Sequence, residues 1–219
     1  PWINYLGSED FFALVSNTAG GYCFYKDARL RRITRYRYNG SPLDADGFHV
    51  YVRTEEGSLW NPGWQPTQEP LDFYRCRHGL GYTVISGKKG GIHMEQAMLV
   101  PREDNCLLLK LTVRNETAAE QRLTLFPYVE FCLWDAMDDS SNFQRNFSTG
   151  EVEIEPQALY HKTEYRERRD HYAFLWSDKP YDGFDTSRDA FLGVYGSPAR
   201  PRAVLEGRCT GSRAHGWAP

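Results

Sequence analysis

Three carboxylates that lie close together in the sequence are the first candidates for chemistry. Asp135, Asp138 and Asp139 stand within "WDAMDDSSN". Two carboxyl groups about 5–9.5 Å apart, on either side of a glycosidic bond, can act as the acid and base of a glycosidase. Three acids on one loop seldom reach that arrangement, because the two groups must flank a walled cleft. We therefore interpret these residues as solvated loop acids.

Other motifs with a defined chemistry do not match this sequence. His161 and His171 lie ten residues apart, a spacing that differs from the H-E-x-x-H pattern of a zinc-binding helix. The glycine-rich stretch His78–Thr83 lacks the strand–turn–helix context of a phosphate-binding loop. The sequence also contains no G-x-S-x-G, P-loop or dinucleotide-binding motif. It therefore predicts no metal site.

A basic and aromatic segment, "NTAGGYCFYKDARLRRITRYRYN", covers Asn17–Asn39. Ala19–Gly21 at its start favours a tight turn with a positive φ angle. Basic residues interleaved with tyrosines can form a stacking platform for nucleic acid. The formal net charge of −3 offers no general attraction for nucleic acid or anionic lipid. The alternation in "RYRYN" is typical of a strand with one charged face, whose arginines we expect to form ion pairs or an interface.

Alternating apolar and polar residues, typical of half-buried strands, dominate the elements that must position these groups. The predicted strands are Phe48–Arg53, Gly81–Ser86, Ile92–Val100, Cys106–Asn115, Arg122–Trp134, Ala158–Thr163, His171–Ser177 and Ala190–Gly196. The segment Cys106–Phe131 is predicted to form one long antiparallel hairpin, in which Pro127 indicates a bulge or an edge position. The best helix candidate is Gly7–Ser16.

The pattern predicts an all-β fold, an antiparallel two-sheet sandwich that forms a single domain over residues 1–219. We expect five tryptophans to help fill the space between the sheets: Trp60, Trp64, Trp134, Trp176 and Trp217. The chain begins with Pro1 and shows no finishing element before Pro219, so we expect it to be a piece of a longer polypeptide.

Cysteine usage and hydropathy bound the environment of the protein. The five cysteines are widely spaced and form no C-x-x-C pair. An odd number of dispersed cysteines suits reduced thiols in the cytoplasm better than a disulfide framework. No apolar run reaches the ~20 residues that a membrane helix needs. These features predict a cytoplasmic protein without a nucleic-acid or membrane partner.

Several stretches carry a resemblance to a known family, and they occur in the family's order along the whole chain. They are "PWINYLG", the Asn17–Asn39 segment, "WNPGWQP", "CRHGLGYT", "EFCLWDAMDDSSNFQRNFSTGEVEIE" and "HKTEYRERRDHYAF". Together they resemble the N-terminal part of cellobiose phosphorylases, which are inverting disaccharide phosphorylases. Related cellodextrin, chitobiose and laminaribiose phosphorylases share the fold.

The resemblance implies an N-terminal β-sandwich followed by a helical linker, an (α/α)6 barrel and a small C-terminal β domain. It implies a homodimeric enzyme that cleaves cellobiose with inorganic phosphate into α-glucose 1-phosphate and glucose. Phosphate is a co-substrate, and no cofactor is implied. The general acid, an Asp, and most phosphate ligands belong to the barrel. We therefore assign no catalytic residue to this chain and expect the chain alone to be inactive.

The long polar stretch Asp138–Glu155 is expected to be a loop between strands, and the resemblance gives it a role. In the family, the segment that resembles "NFQRN" reaches the mouth of the active site, where the acceptor glucose binds. Gln144, Arg145 and Asn146 are then the candidates for hydrogen bonds to glucose hydroxyls. Phe143 and Phe147 would anchor the loop.

The family's glycine turn lies near the barrel, so the resemblance also implies a supporting role for the Asn17–Asn39 segment. Asn17, Tyr25, Lys26 and Asp27 are weaker candidates for contacts with substrate, and packing at an interface is the competing role. For the whole chain, a freestanding carbohydrate-binding or interaction module without catalysis remains the alternative to an enzyme part.

Overall fold

The computed structural model describes residues 2–36, 47–141, 150–163 and 171–212. The strands of this part of the chain are β1 (Ile3–Gly7), β2 (Phe11–Ser16), β3 (Gly21–Tyr25), β4 (Arg32–Thr34), β5 (Phe48–Thr54), β6 (Leu59–Trp60), β7 (Phe73–His78), β8 (Thr83–Lys89), β9 (Ile92–Leu99), β10 (Leu108–Asn115), β11 (Leu123–Val129), β12 (Phe131–Trp134), β13 (Gly150–Glu155), β14 (Ala158–Thr163) and β15 (His171–Trp176). The helices are α1 (Ala136–Ser141), α2 (Arg188–Leu192) and α3 (Arg202–Glu206).

These strands pair antiparallel and form four sheets. The largest has the order β1-β2-β3-β4-β12, and the second has the order β10-β9-β8-β7. Two three-stranded sheets follow, with the orders β11-β5-β6 and β13-β14-β15. The predicted all-β antiparallel sandwich is confirmed, and its strands are distributed over these four sheets. The assignment of residues 1–219 to a single domain stays a prediction.

Alternation along the strands creates the cores between the sheets. Phe11, Ala13 and Val15 of β2 are buried together with Ile85 of β8 and Met98 of β9. Because successive strand residues point to opposite faces, every second residue of β2 reaches this cluster. The five-stranded and four-stranded sheets are therefore joined through one apolar layer.

The β11-β5-β6 sheet is covered on both faces. Val52 and Trp60 pack with Met94 of β9 on one face. On the other face Tyr128 stacks on Phe191 of α2, with ring centroids 4.9 Å apart, and Val204 of α3 joins the same cluster. The helices therefore close the side of this sheet that the four-stranded sheet leaves open.

Two segments differ in secondary structure from the prediction. Phe11–Ser16 is strand β2 and not part of a Gly7–Ser16 helix, because its apolar residues alternate toward one buried face. The predicted strand Ala190–Gly196 is instead the end of α2 and the turn that follows it. Ser187 before α2 and Gly193 after it, with a φ of 96°, are residue types typical of helix boundaries.

The predicted hairpin of β10 with β11 is wrong. β10 pairs with β9, and β11 pairs with β5. Leu111 of β10 and Leu125 of β11 pack against the same buried cluster, so the two arms lie in different sheets that share one core. Pro127 lies on β11, an edge strand of its sheet, which confirms the edge position and explains why its missing N–H is tolerated.

The tryptophans divide between the core and the surface. Trp60 is fully buried, as expected for a residue between sheets. Trp64 and Trp176 are exposed, so the expectation that they fill the core is wrong. The side chain of Trp134 and the whole of Trp217 lie outside the described part of the structure.

Gly21 provides a test of how closely β2 and β3 approach each other. Its φ is 140°, and a Cβ there would lie 1.9 Å from the carbonyl oxygen of Leu14. Gly21→Ala should lower the free energy of unfolding by about 2–4 kcal/mol, since the added atom combines backbone strain with a clash. Urea unfolding measures this loss. Gly81→Ala is the matched control, because a Cβ at Gly81 meets no atom within 4 Å; equal stability of the two variants would contradict the argument.

Candidate functional site

The candidate site is one end of the five-stranded sheet, where the loop between β3 and β4 meets helix α1. Asp27 shapes this loop: its Oδ1 accepts hydrogen bonds from the backbone N–H groups of Arg29 (2.8 Å) and Leu30 (2.6 Å). Such a bond pattern is the usual way in which Asp stabilises a turn. Asp27 therefore uses one of its carboxylate oxygens to hold the loop.

Tyr25 and Lys26 form a small polar cluster with Asp10. Lys26 Nζ lies 3.2 Å from Asp10 Oδ2, and the Tyr25 hydroxyl donates a hydrogen bond of 3.4 Å to the same oxygen. Hydrogen bonds with Tyr25 and Asp10 raise the pKa of Lys26 above its ordinary value. Lys26 is therefore a cation at neutral pH that is paired with Asp10.

Asn17 lies at the other end of the β2–β3 hairpin. The Phe11–Tyr25 pair and the Val15–Gly21 pair are separated by four residues of strand, about 13 Å, and Asn17 lies beyond the second pair. Its Oδ1 accepts a 3.0 Å hydrogen bond from the backbone N–H of Trp2. The structure therefore brings Tyr25, Lys26 and Asp27 together and places Asn17 elsewhere, where it fastens the N-terminal strand.

Helix α1 begins against the same loop. The backbone N–H of Ala136 donates a 2.7 Å hydrogen bond to the carbonyl oxygen of Arg29. Asp135 Oδ1 accepts hydrogen bonds from the backbone N–H groups of Met137 (2.9 Å) and Asp138 (3.1 Å), as a capping residue does. Asp135 therefore fixes the start of the helix.

Two expectations about the acidic stretch are corrected by these elements. Asp138–Glu155 is not one loop, since it begins inside α1 and ends with β13. Asp139 is not a solvated loop acid, because its side chain is only 2% exposed. Asp139 can be buried because a buried arginine lies next to its carboxylate.

The buried arginine is Arg35, and it lies between two carboxylates. Its Nη1 donates a 3.0 Å hydrogen bond to Glu130 Oε2, and its Nε lies 3.2 Å from Asp139 Oδ2 as an ion-pair contact without hydrogen-bond alignment. Arg188 Nε and the Tyr128 hydroxyl both donate to Glu130 Oε1, the former at 3.1 Å. We call Arg35, Glu130, Asp139 and Arg188 the buried ion cluster.

The buried ion cluster sets the charge of Glu130. Burial by itself disfavours the carboxylate, but Arg35, Arg188 and the hydrogen bond from Tyr128 outweigh it and lower the pKa of Glu130 below its ordinary value. The cluster contains two anions and two cations; the side chains of Glu130, Asp139 and Arg35 are buried, whereas that of Arg188 is 39% exposed and reaches Glu130 from the surface. Glu130 is thus ionised and engaged at neutral pH.

Sequence reasoning missed Glu130 and Arg188, although it predicted ion pairs for the arginines of "RYRYN". A signal was available in "FPYVEFCLW", where Glu130 interrupts an apolar run. An acid inside such a run must find a cation when the run is buried. Arg188 had no comparable signal, because it reaches Glu130 from 58 residues away.

Gln144, Arg145 and Asn146 lie outside the described residues, as do Phe143 and Phe147. Their predicted contacts with sugar therefore stay a prediction. In sequence, Gln144 follows the last residue of α1, Ser141, by three positions. The segment therefore starts next to an element that the buried ion cluster holds.

The described residues show no group of three or more His, Cys, Asp and Glu side chains that could hold a metal ion. His161 is buried and stacks on Phe131, with ring centroids 5.2 Å apart, so it packs in the core. All five cysteines are free thiols, and burial raises the pKa of Cys23 to about 11. No helix of the described part is long and apolar enough to cross a membrane.

These features define an all-β sandwich domain. At one end of its five-stranded sheet, the buried ion cluster holds helix α1 against the strands. The chain belongs to the glycosyl hydrolase 94 supersandwich domain family, whose family model matches residues 1–219. The expected resemblance is therefore confirmed at the level of this domain family, and the narrower expectation of a cellobiose phosphorylase stays a prediction.

The relatives of the chain are much longer than the chain itself. It is 33% identical over 219 residues to the N,N'-diacetylchitobiose phosphorylase of Vibrio proteolyticus, covering 97% of this chain and 27% of that protein. The solabiose phosphorylase of Paenibacillus borealis is 30% identical over 216 residues, 98% of this chain and 28% of that protein. The chain therefore spans about a quarter of the length of these relatives.

A relative with a different name carries the same domain. The cyclic beta-(1,2)-glucan synthase of Rhizobium meliloti (strain 1021) is 26% identical over 214 residues, 97% of this chain and 7% of that protein. The domain thus occurs both in proteins named as phosphorylases and in one named as a synthase.

Removal of the buried arginine should be costly. Arg35→Gln leaves Glu130 and Asp139 without their shared cation, so we expect a loss of about 3–5 kcal/mol in the free energy of unfolding. Urea denaturation of the chain measures it. The control is Arg122→Gln, because the Arg122–Glu55 pair is exposed at 3.8 Å and should change stability by less than about 0.5 kcal/mol. If both variants lose the same free energy of unfolding, the burial of the Arg35 ion pairs does not explain their contribution to stability.

The lowered pKa of Glu130 predicts a dependence of stability on pH. The unfolded chain binds a proton at Glu130 more readily than the folded chain, so the stabilisation is complete above the ordinary pKa of 4.5 and is lost as the pH falls through the lower folded-state value. Glu130→Gln should be less stable than the original chain at neutral pH, with a smaller loss on acidification to about pH 3. Denaturation at several pH values measures both slopes, and parallel slopes would refute the assignment.

Proposed function

We propose that this chain is the N-terminal domain of an inverting disaccharide phosphorylase that cleaves cellobiose with inorganic phosphate into α-D-glucose 1-phosphate and D-glucose. The observation that carries the proposal is the family match over residues 1–219, together with relatives named as disaccharide phosphorylases at 33% and 30% identity. The choice of cellobiose rests on the resemblance of the sequence motifs to cellobiose phosphorylases.

The chemistry of phosphorolysis suits a division between a positioning domain and a catalytic domain. An inverting hydrolase needs a carboxylate base that activates water. Phosphate is already an anion, so the protein needs one proton donor and cationic or hydrogen-bonding groups that hold the phosphate in line. We assign those groups to the barrel that accompanies this domain in the full-length enzyme, with phosphate as a co-substrate and no cofactor.

This domain would contribute the acceptor side of the sugar site through Gln144, Arg145 and Asn146. Arg presents a planar fork of donors, while Gln and Asn supply a donor and an acceptor each, which matches the hydroxyls of glucose. The buried ion cluster supports the role physically, since it fixes α1 three residues before Gln144. Contacts made far from the reacting bond raise the rate when they hold the substrate in its reactive geometry.

Tyr25, Lys26 and Asp27 belong to the same proposal in a secondary role. Their loop touches the start of α1 through the hydrogen bond from Ala136 to Arg29. They would support the sugar-contacting segment or pack at the interface of a homodimer. A cytoplasmic location is part of the proposal, supported by five free cysteines that suit a reducing compartment.

Arg145→Ala in the full-length protein that contains this domain tests the acceptor site. We expect kcat/KM for cellobiose phosphorolysis and for synthesis with glucose to fall about 10- to 1000-fold, which corresponds to about 1.4–4 kcal/mol of transition-state stabilisation. Initial rates of glucose 1-phosphate release and consumption measure the two directions.

Arg122→Ala is the matched control for this experiment, because Arg122 forms an exposed ion pair with Glu55 and should leave both rates unchanged. Unchanged rates in Arg145→Ala would remove the acceptor role from the segment. Release of glucose 1-phosphate by the 219-residue chain alone would overturn the division between positioning and catalysis. Faster cleavage of N,N'-diacetylchitobiose than of cellobiose would replace the proposed substrate while leaving the reaction class intact.

A further inference from the structure

The outer face of the β13-β14-β15 sheet carries a row of exposed aromatic side chains. Tyr172, Phe174 and Trp176 are alternate residues of β15, so their side chains lie on one face of the sheet. Their exposed fractions are 47%, 52% and 55%. Consecutive members of the row are about 6.7 Å apart along the strand. Three large aromatic residues therefore form a continuous strip on the surface of the described chain.

The strand register shows what accompanies the strip. Tyr160 of β14 is directly opposite Phe174, and their ring centroids are 6.1 Å apart. Lys162 is opposite Tyr172, and Ala158 is opposite Trp176. Residues that are directly opposite each other in a sheet share a face. We call Tyr160, Tyr172, Phe174 and Trp176 the aromatic platform.

The next strand places carboxylates beside the platform. Glu151, Glu153 and Glu155 of β13 are opposite Lys162, Tyr160 and Ala158. The three glutamates are exposed and stand on the same face of the sheet. The face therefore has an apolar side formed by rings and a polar side formed by carboxylates and one lysine.

The platform is not needed for the core of this chain. His161 and Ala173, on the opposite face of the same strands, are buried, and His161 stacks on Phe131 of β12. The inner face thus docks the sheet onto the rest of the domain. An outer face with four aromatic residues exceeds what a solvent-facing sheet requires, and exposed apolar patches mark interaction sites.

We propose that the aromatic platform binds an extended, neutral oligosaccharide. The C–H faces of pyranose rings are apolar and flat, so they can pack against aromatic rings and remove apolar surface from water. Because the rings of Tyr172, Phe174 and Trp176 follow one another along β15, an extended sugar chain can contact more than one of them. The sugar hydroxyls, in turn, are donors for the carboxylates of Glu151, Glu153 and Glu155.

The charges on the face select this occupant over other partners. A dry protein interface would have to desolvate the three carboxylates of the described face, which is costly. Two copies of the chain meeting face to face would bury the carboxylates of both copies. Phosphate-containing ligands would be repelled by the same carboxylates. A neutral sugar adds no charge to the face, and its hydroxyls can donate hydrogen bonds to the carboxylates while water remains around them.

The aromatic platform does not include Gln144, Arg145 or Asn146, and it does not depend on any catalytic role. It would hold a polysaccharide or a long product near the domain. The site is formed by described residues of β13, β14 and β15 alone.

Titration calorimetry of the 219-residue chain with cellopentaose and with penta-N-acetylchitopentaose tests the proposal. At least one of the two sugars should show saturable binding and change the fluorescence of Trp176. Phe174→Ala and Trp176→Ala should each weaken that binding about tenfold or more, because each removes one stacking surface. Tyr195→Ala is the matched control, since Tyr195 is fully exposed in a turn outside the platform, and it should bind as the original chain does.

The outcomes are distinguishable. If neither sugar shows saturable binding, the proposed sugar site is wrong. It is also wrong if Phe174→Ala and Trp176→Ala bind the sugar as tightly as the original chain does. Self-association that Phe174→Ala abolishes, without sugar binding, would identify the face as a contact between copies and also overturn it. Thermal unfolding of each variant checks that the replacement of these exposed residues leaves the domain folded. Arg145→Ala should keep the pentasaccharide affinity, which separates failure here from failure of the acceptor site.

Discussion

The placement of one arginine between two buried carboxylates is the constraint on which this end of the domain depends. Arg35, Glu130 and Asp139 have side chains that are 5%, 4% and 2% exposed. Removing ions from water costs several kcal/mol each, and only closely matched partners offset that cost. Arg35 follows β4, Glu130 separates β11 from β12, and Asp139 lies in α1. The cluster is therefore satisfied only when all three elements are in place together.

The same constraint links the sheet to the polypeptide that follows α1. Helix α1 is held at its start by Asp135 and by the carbonyl oxygen of Arg29, and near its end by Asp139. A helix of six residues has little stability of its own, because helix formation needs more residues to offset its nucleation cost. Its position is thus imposed by the sheet. Residues that continue from such a helix start from a fixed point, which is what a segment that orients a substrate requires.

The sequence predicted the parts of this structure that depend on local alternation. β9 alternates buried Met94, Gln96 and Met98 with more exposed residues, and its prediction holds within one residue. β2 was mistaken for a helix, since "EDFFALVS" contains good helix formers and its burial is decided by neighbouring strands. The pairing of β10 with β9, and of β11 with β5, depends on which sheets share a core. The ion pair of Arg35 with Asp139 also joins segments that are distant in the sequence, so no local pattern predicts it.

The pKa shifts resolved for three described glutamates agree with the positioning role proposed for this domain. A general acid at neutral pH needs a carboxyl group whose pKa is raised, as burial without a cation achieves. The shifts resolved here for acids point the other way: the pKa values of Glu56, Glu116 and Glu130 are all lowered, the last two with help from cations. Asp139 faces Arg35, and Asp135 caps a helix. Among the residues that the structure describes, Glu56, Glu116 and Glu130 are therefore held as carboxylates at neutral pH, and their hydrogen bonds and ion pairs hold structure.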